Sequence, residues 1–308
     1  MNFGIIIIGD EILSGRREDK HLAKTIALFG ARGLQLAYAD YVGDSPERIT
    51  ATLKRAFASG DVVFSFGGIG ATPDDHTRQC AAAALQRPLL LHPEAKVLIR
   101  ERMQDLAREK GIPYEPERDD NLHRLNMGMF PEGAGIIPNP YNKIPGFYVL
   151  SDELMGAEFR AGPPQAALDR LAASPARELA PSGGSDPHAV GERGGVYFVP
   201  GFPVMAWPMV EWVLDTQYRA HFRQDAWQEN SIIVFGAMEA SLTPLMERIE
   251  STHAVKVFSL PSVDHPEYGR HIELGVKGAP VAADAAYADL VAALKAMEIP
   301  LGPEMVRK

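Results

Sequence analysis

The chain has 308 residues, 46% of them apolar, with a formal net charge of −9 and one cysteine. That length and apolar content can build a substantial core and predict two globular units. The acidic balance argues against nonspecific nucleic-acid binding, which needs a basic face to displace counterions; lone Cys80 excludes an intrachain disulfide framework and a cysteine zinc site, and fits a reducing cytoplasm.

The first apolar run, Ile5 to Ile8, has no basic segment before it and is too short for a signal peptide or a membrane span. Continuous β-branched residues suit a strand covered on both faces of a parallel sheet. A helix from about His21 to Phe29, a strand near Leu34 to Val42, a helix from Pro46 to Ala58 and a strand from Val62 to Phe66 follow. Repeated strand-helix units predict an α/β domain with a mostly parallel sheet between helices. Ser45-Pro46-Glu47 is a helix start with proline at the first helical position. Further helices span Thr77 to Leu85, with Cys80 as a small core residue among alanines, and Pro93 to Lys110, closed by Gly111.

Residues 119 to 150 read as two short strands joined by a loop punctuated with prolines and asparagines, and 156 to 195, rich in Ala, Pro, Gly and Ser, as an inserted surface excursion. The sheet resumes at Gly195 to Val199, turns at Pro200-Gly201-Phe202-Pro203 and feeds a helix from Val204 to Phe222. The first domain is thus expected over 1–225 and a second, small α+β module over 226–308. That module has a βαββα, KH-like order: strands Ser231–Phe235, Val255–Leu260 and Arg270–Val276, helices Ser241–Ser251 and Asp284–Glu298. It lacks the Gly-X-X-Gly clamp, basic cluster and exposed aromatic run that RNA recognition would use, so packing or dimerisation is its simpler role.

Chemistry concentrates in Gly67-Gly68-Ile69-Gly70-Ala71-Thr72-Pro73-Asp74-Asp75-His76-Thr77, directly after the strand ending at Phe66. Glycines let backbone N–H groups approach an anion, and adjacent carboxylates repel that anion unless a hard cation such as Mg²⁺ stands between them. Four ordered stretches resemble the CinA (competence and damage inducible) family, whose N-terminal domain is related to the molybdopterin-binding MogA, MoaB and gephyrin domains. They are Ile8-Gly9-Asp10-Glu11-Ile12-Leu13-Ser14-Gly15, Val42-Gly43-Asp44, the glycine loop through Thr77, and Pro200-Gly201-Phe202-Pro203.

The resemblance implies a three-layer α/β sandwich with its ligand at the carboxyl ends of the parallel strands, working as a homo-oligomer. It further implies a small-molecule partner, either a nucleotide pyrophosphate such as ADP-ribose, hydrolysed with Mg²⁺, Mn²⁺ or Co²⁺, or a pterin phosphate, molybdopterin, bound without hydrolysis. The family's C-terminal deamidase domain is expected to be missing, and with it nicotinamide mononucleotide deamidation. Three places depart from the pattern: Asp19-Lys20-His21 stands for Asp-X-Asn, Ala71 for proline, and Asn139-Pro140-Tyr141-Asn142-Lys143 for Gly-Thr-Ala.

Asp10, Glu11, Asp44, Asp74 and Asp75 each follow a strand, so all five are candidate metal ligands; the alternatives are helix capping for the first two and a turn at Asp44. Asp74, Asp75 and His21 are the candidate catalytic residues, with His21 or His76 as the proton relay. Gly67, Gly68, Gly70, Thr72, Thr77, Lys20 and Lys143 are candidates for phosphate, while Asn139 and Asn142 either read a ring edge or form turns beside prolines. A third reading is a catalytically silent interaction protein that docks through the 156–195 segment.

Overall fold

The computed structural model describes residues 1–151, 194–222 and 228–307, in two compact units, Met1–Phe222 and Arg223–Lys308. Apart from its last two residues, the expected excursion over 156–195 lies outside the described residues.

In the first unit, β1 (Phe3–Ile8), β2 (Leu36–Val42), β3 (Val62–Phe66) and β8 (Gly195–Val199) run parallel in the order β2-β1-β3-β8. Antiparallel β7 (Gly146–Leu150) and β6 (Gly135–Ile137) complete a six-stranded sheet. Every residue of β1, β3 and β8 is buried, and successive side chains serve opposite cores because the strand period is two. Ile6, Ile8, Val63 and Phe198 meet α3 (Pro46–Ser59), α4 (Thr77–Leu85) and α5 (Pro93–Lys110). Ile5, Ile7, Phe64 and Tyr197 meet α2 (His21–Gly30), which follows the single-turn α1 (Asp10–Leu13), and, near the end of the unit, the helix Pro203–Gln217. The result is the expected sandwich of helices, sheet and helices.

Local chemistry explains the boundaries. Ser45 caps α3 by accepting from the Arg48 N–H at 3.4 Å, with Pro46 in the first turn. Gly111, at φ 63°, ends α5 in the left-handed conformation, and its N–H reaches the Arg108 carbonyl. A two-stranded ribbon was not foreseen: β4 (Leu89–Leu91) pairs antiparallel with β5 (Met129–Pro131), preceded by the short helix α6 (Asp119–Arg124).

The second unit contains β9 (Gln228–Val234), a helix Glu239–Thr252, β10 (Val255–His265), β11 (Gly269–Gly278), a helix Pro280–Ala296 and β12 (Leu301–Arg307). Its antiparallel sheet runs β10-β11-β9-β12. The closing strand makes the order βαββαβ, a split βαβ arrangement, instead of the KH-like series read from sequence. Gly302 and Pro303 hid that strand; an edge position and a register shift between Leu301 and Glu304 accommodate them.

Candidate functional site

β1 leads to β2 on one side and pairs with β3 on the other, so the carboxyl ends of the central strands flank a crevice of the kind open α/β sheets use for ligands. A cavity of about 420 Å³ lies there. One side of its lining comes from segments that follow four parallel strands: Gly9 and Glu11 after β1, Asp44 after β2, Gly67 to Thr72 with Asp74 and Asp75 after β3, and Pro200 to Phe202 after β8.

The glycine loop is shaped by its neighbours. The Gly67 N–H donates to the Val199 carbonyl at 3.0 Å, wedging the loop entrance between β1 and β8. Gly67 sits at φ +98°, and a Cβ there would stand 2.5 Å from the Ile8 carbonyl oxygen. The N–H of Thr77 donates to the Gly68 carbonyl and its hydroxyl to the Gly67 carbonyl, at 3.0 and 3.1 Å, closing the loop onto α4. One Asp75 carboxylate oxygen accepts from the Thr72 N–H at 2.9 Å and from its hydroxyl at 2.5 Å, closing the far turn. Between these ties, the N–H groups of Gly68, Ile69, Gly70 and Ala71 find no acceptor among the described residues, and consecutive unpaired amides are a receptor for an anion.

The acids divide by task. Asp10 and Asp44 clasp each other: each carboxylate accepts the other's backbone N–H, at 3.1 and 3.0 Å. Asp44, Glu11, Asp74 and Asp75 line the cavity and Asp10 does not. Burial first, then the charges of Asp10, Glu11 and Asp74, raises the Asp44 carboxyl above the usual carboxylate range, against the Asp10 N–H that lowers it. A carboxyl whose ionisation is opposed by neighbouring like charges is what a cation relieves. Among the described residues, however, no three His, Cys, Asp or Glu side chains are disposed to hold an ion. The residues fit a hard ion held by one or two carboxylates and completed by ligand phosphate and water, the usual habit of Mg²⁺; they do not form a closed cage.

Several expectations need correction. Asp10 is the clasp for Asp44. Thr77 is fully buried and committed to the loop backbone, so its hydroxyl does not face the cavity. His21 and Lys20 line a neighbouring cavity of about 250 Å³. The His21 ring is buried, stacks on Phe66 at 4.4 Å and has Nε2 3.1 Å from the Gly201 carbonyl; burial lowers its pKa, so it is a neutral tie between α2 and the Pro200–Pro203 turn. Lys143, expected at phosphate, pairs instead with Asp105 at 2.8 Å and Glu101 at 3.5 Å on α5, outside the cavity lining. Asn139 reaches the rim, yet its amide donates to Asn142 Oδ1 and the Ile144 carbonyl and accepts from the Tyr141 N–H. It is a turn former. Asn142 supports the same turn and touches Met205 Sδ.

Sequence reasoning passed over two cations and an apolar wall. Arg17 is the one cation among the described residues lining the cavity, 3.7 Å from Glu11 and 5.8 Å from the centre of the Phe202 ring. Its place two residues beyond the end of the first motif at Gly15 was the available signal. Arg78, one residue beyond the glycine motif, is buried beneath the loop. Ile69, Met127, Ile144, Pro145, Phe202 and Met205 supply apolar surface beside the acids.

A family model described as a probable molybdopterin binding domain matches residues 4–220. The chain belongs to that family. Among curated proteins it is 31% identical over 173 residues to a CinA-like protein of Syntrophotalea carbinolica, covering 56% of this chain and 39% of the relative. It is 33% identical over 154 residues to a putative competence-damage inducible protein of Alkaliphilus metalliredigens, covering 48% and 34%. The matched stretch therefore spans well under half the length of these relatives. A solved CinA structure from Thermoplasma acidophilum is similar at 21% identity and a TM-score of 0.47, over 70% of this chain and 98% of that one. Among the described residues, no helix is long and apolar enough to cross a membrane.

Proposed function

We propose that the first unit is a metal-dependent hydrolase of a nucleotide pyrophosphate such as ADP-ribose. One observation carries the reading: Glu11, Asp44, Asp74 and Asp75 line the same cavity as a loop of unpaired backbone N–H groups. A diphosphate takes the amides of Gly68 to Ala71, with Arg17 leaving Glu11 for a phosphate oxygen. One or two of the carboxylates of Glu11, Asp44 and Asp74 would hold a divalent cation, which would supply positive charge against the diphosphate. Asp74 and Asp75 accept hydrogen bonds from the attacking water and orient it. Its oxygen joins one phosphorus as the bridging P–O bond breaks, the departing phosphate taking the bond's electron pair and the water's proton passing by way of an aspartate carboxylate to solvent, so ADP-ribose and water become AMP and ribose 5-phosphate. The apolar wall from Phe202 to Met127 receives a ring. In this reading the chain acts as a homo-oligomer, checked by light scattering.

The test is incubation with ADP-ribose, FAD and NAD in Mg²⁺, Mn²⁺ or Co²⁺, following AMP. Asp75→Asn keeps an oxygen for Thr72 while removing the charge, and should lower AMP release on the order of 10²-fold in a folded protein. Undiminished release from that variant counts against the assignment. The family description and the apolar wall favour a second reading, in which a pterin phosphate is bound and not cleaved. Tight pterin binding with no AMP from any substrate and metal selects it.

A further inference from the structure

The side chain with the least obvious reason to be where it is belongs to Arg78. It is 3% exposed, in the first turn of α4, and among the described residues it forms no ion pair. One guanidinium nitrogen donates to the Ile69 carbonyl, and its buried Nε has no partner. The acid whose charge acts on it is Asp75, one of whose carboxylate oxygens is occupied with the N–H and hydroxyl of Thr72. Removing a guanidinium from water is unfavourable unless opposite charge compensates it, so a chain that retains one beneath a loop facing an acid-lined cavity, paired with no carboxylate among the described residues and acted on by Asp75 only through space, has placed a positive charge that its own acids compensate in part.

The single bond to Ile69 has a geometric consequence. The peptide bonds of the described chain are all trans, and in a planar trans peptide the carbonyl and the following N–H point in opposite directions. Drawing the Ile69 carbonyl down to Arg78 therefore turns the Gly70 N–H up, away from the guanidinium and toward the cavity that Ile69 and Gly70 line. The direction of that amide and the sign of the charge beneath it favour the same ligand group, an anion lying on the Ile69–Gly70 peptide. The carboxylates of Glu11, Asp44 and Asp74 favour a cation elsewhere in the cavity.

We infer that Arg78 is a positioning residue that gives the site its polarity: from beneath the glycine loop it orients the Ile69–Gly70 peptide and acts as counter-charge for a phosphoryl group of the ligand. This rests on the reading of the cavity as a cation and phosphate site. A field acting through the loop has a signature that a merely structural role lacks. Removing the positive charge must weaken anion binding and strengthen cation binding, whereas loosening the loop weakens both.

The experiment measures binding of Mn²⁺ alone, by electron paramagnetic resonance, and of inorganic pyrophosphate alone, by calorimetry, to the full chain and to Arg78→Gln. Expected is a roughly tenfold loss of pyrophosphate affinity with a gain of similar size for Mn²⁺, the order of one unit charge acting through partly polar protein. Loss of both, or change in neither, overturns the inference. If the wild-type chain binds neither probe, the functional reading falls first and the inference with it. Should Arg78→Gln not fold, Arg78→Lys keeps the charge on a group that burial makes titratable. Its pyrophosphate affinity, relative to wild type at each pH, should then fall as pH rises and the lysine loses its proton; a pH-independent ratio also overturns the inference.

Discussion

Replacing Gly67 by alanine tests how the loop is built. The added methyl would lie 2.5 Å from the Ile8 carbonyl oxygen, well inside the 3.4 Å at which ordinary contact begins, and the obstacle is strand backbone rather than a flexible side chain. Relief requires β1 and β3 to part where the Gly67 N–H is also held by Val199 at 3.0 Å. The positive φ costs roughly 1–2 kcal/mol for an L-residue, and forcing a methyl into packed structure costs about 1–3 kcal/mol more. The expected loss is about 2–5 kcal/mol, a large share of an ordinary domain's stability. Gly60 is the control: its φ is +70°, and a Cβ there meets nothing within 4 Å, so Gly60→Ala should lose only about 1 kcal/mol. Urea melts of both variants, followed by far-ultraviolet circular dichroism and tryptophan fluorescence, give the two losses. If they agree within about 0.5 kcal/mol, the contact with Ile8 is not what demands glycine.

Two further outcomes follow from the electrostatics. Burial depresses the His21 imidazole below its ordinary 6.5, outweighing the Gly201 hydrogen bond and the Asp19 charge that raise it. The unfolded chain then binds the proton more readily, so this contribution to stability is intact above pH 6.5 and declines as pH falls toward the lower folded value. Between pH 7 and 5 the urea midpoint of His21→Gln should fall less than that of wild type, and equal declines would show that His21 is not the group responsible. For Asp44 the sign is opposite: a carboxyl raised by burial and by Asp10, Glu11 and Asp74 opposes folding at neutral pH until it is protonated or met by a cation. Asp44→Asn should stabilise the metal-free chain by less than about 1 kcal/mol after solvent screening, and should shrink the rise in melting temperature on adding Mg²⁺. An undiminished Mg²⁺ effect would remove Asp44 from the cation site.

Much of the fold was legible because its signals are local. The helices Thr77–Leu85 and Pro93–Lys110 and the strands Val62–Phe66 and Gly195–Val199 run as read from sequence. The 280–296 helix began earlier than expected because Pro280, in its first turn, was not used as a start signal. β4, β5 and α6 are too short for a periodic pattern to emerge, and the break at Gly302-Pro303 concealed β12. In the site, the glycine motif and the cavity acids were visible as motif residues. The commitments of Thr77, Asn139, His21 and Lys143 were not, because each is satisfied by a partner distant in sequence or by backbone that only the folded loop presents.

By itself, the order of residues determined that buried strands alternate with helices and that each central strand is followed by glycine, acid or proline, since hydrophobic period and turn chemistry act over a few neighbours. Tertiary structure decided which of those residues meet. Laying β2, β1, β3 and β8 side by side brings Glu11, Asp44, Asp74, Asp75 and Arg17 around one cavity, sends Lys143 to the carboxylates of α5, and buries Arg78 under the loop. Strand order is set by packing both faces of the sheet at once, a condition that no short stretch of chain contains.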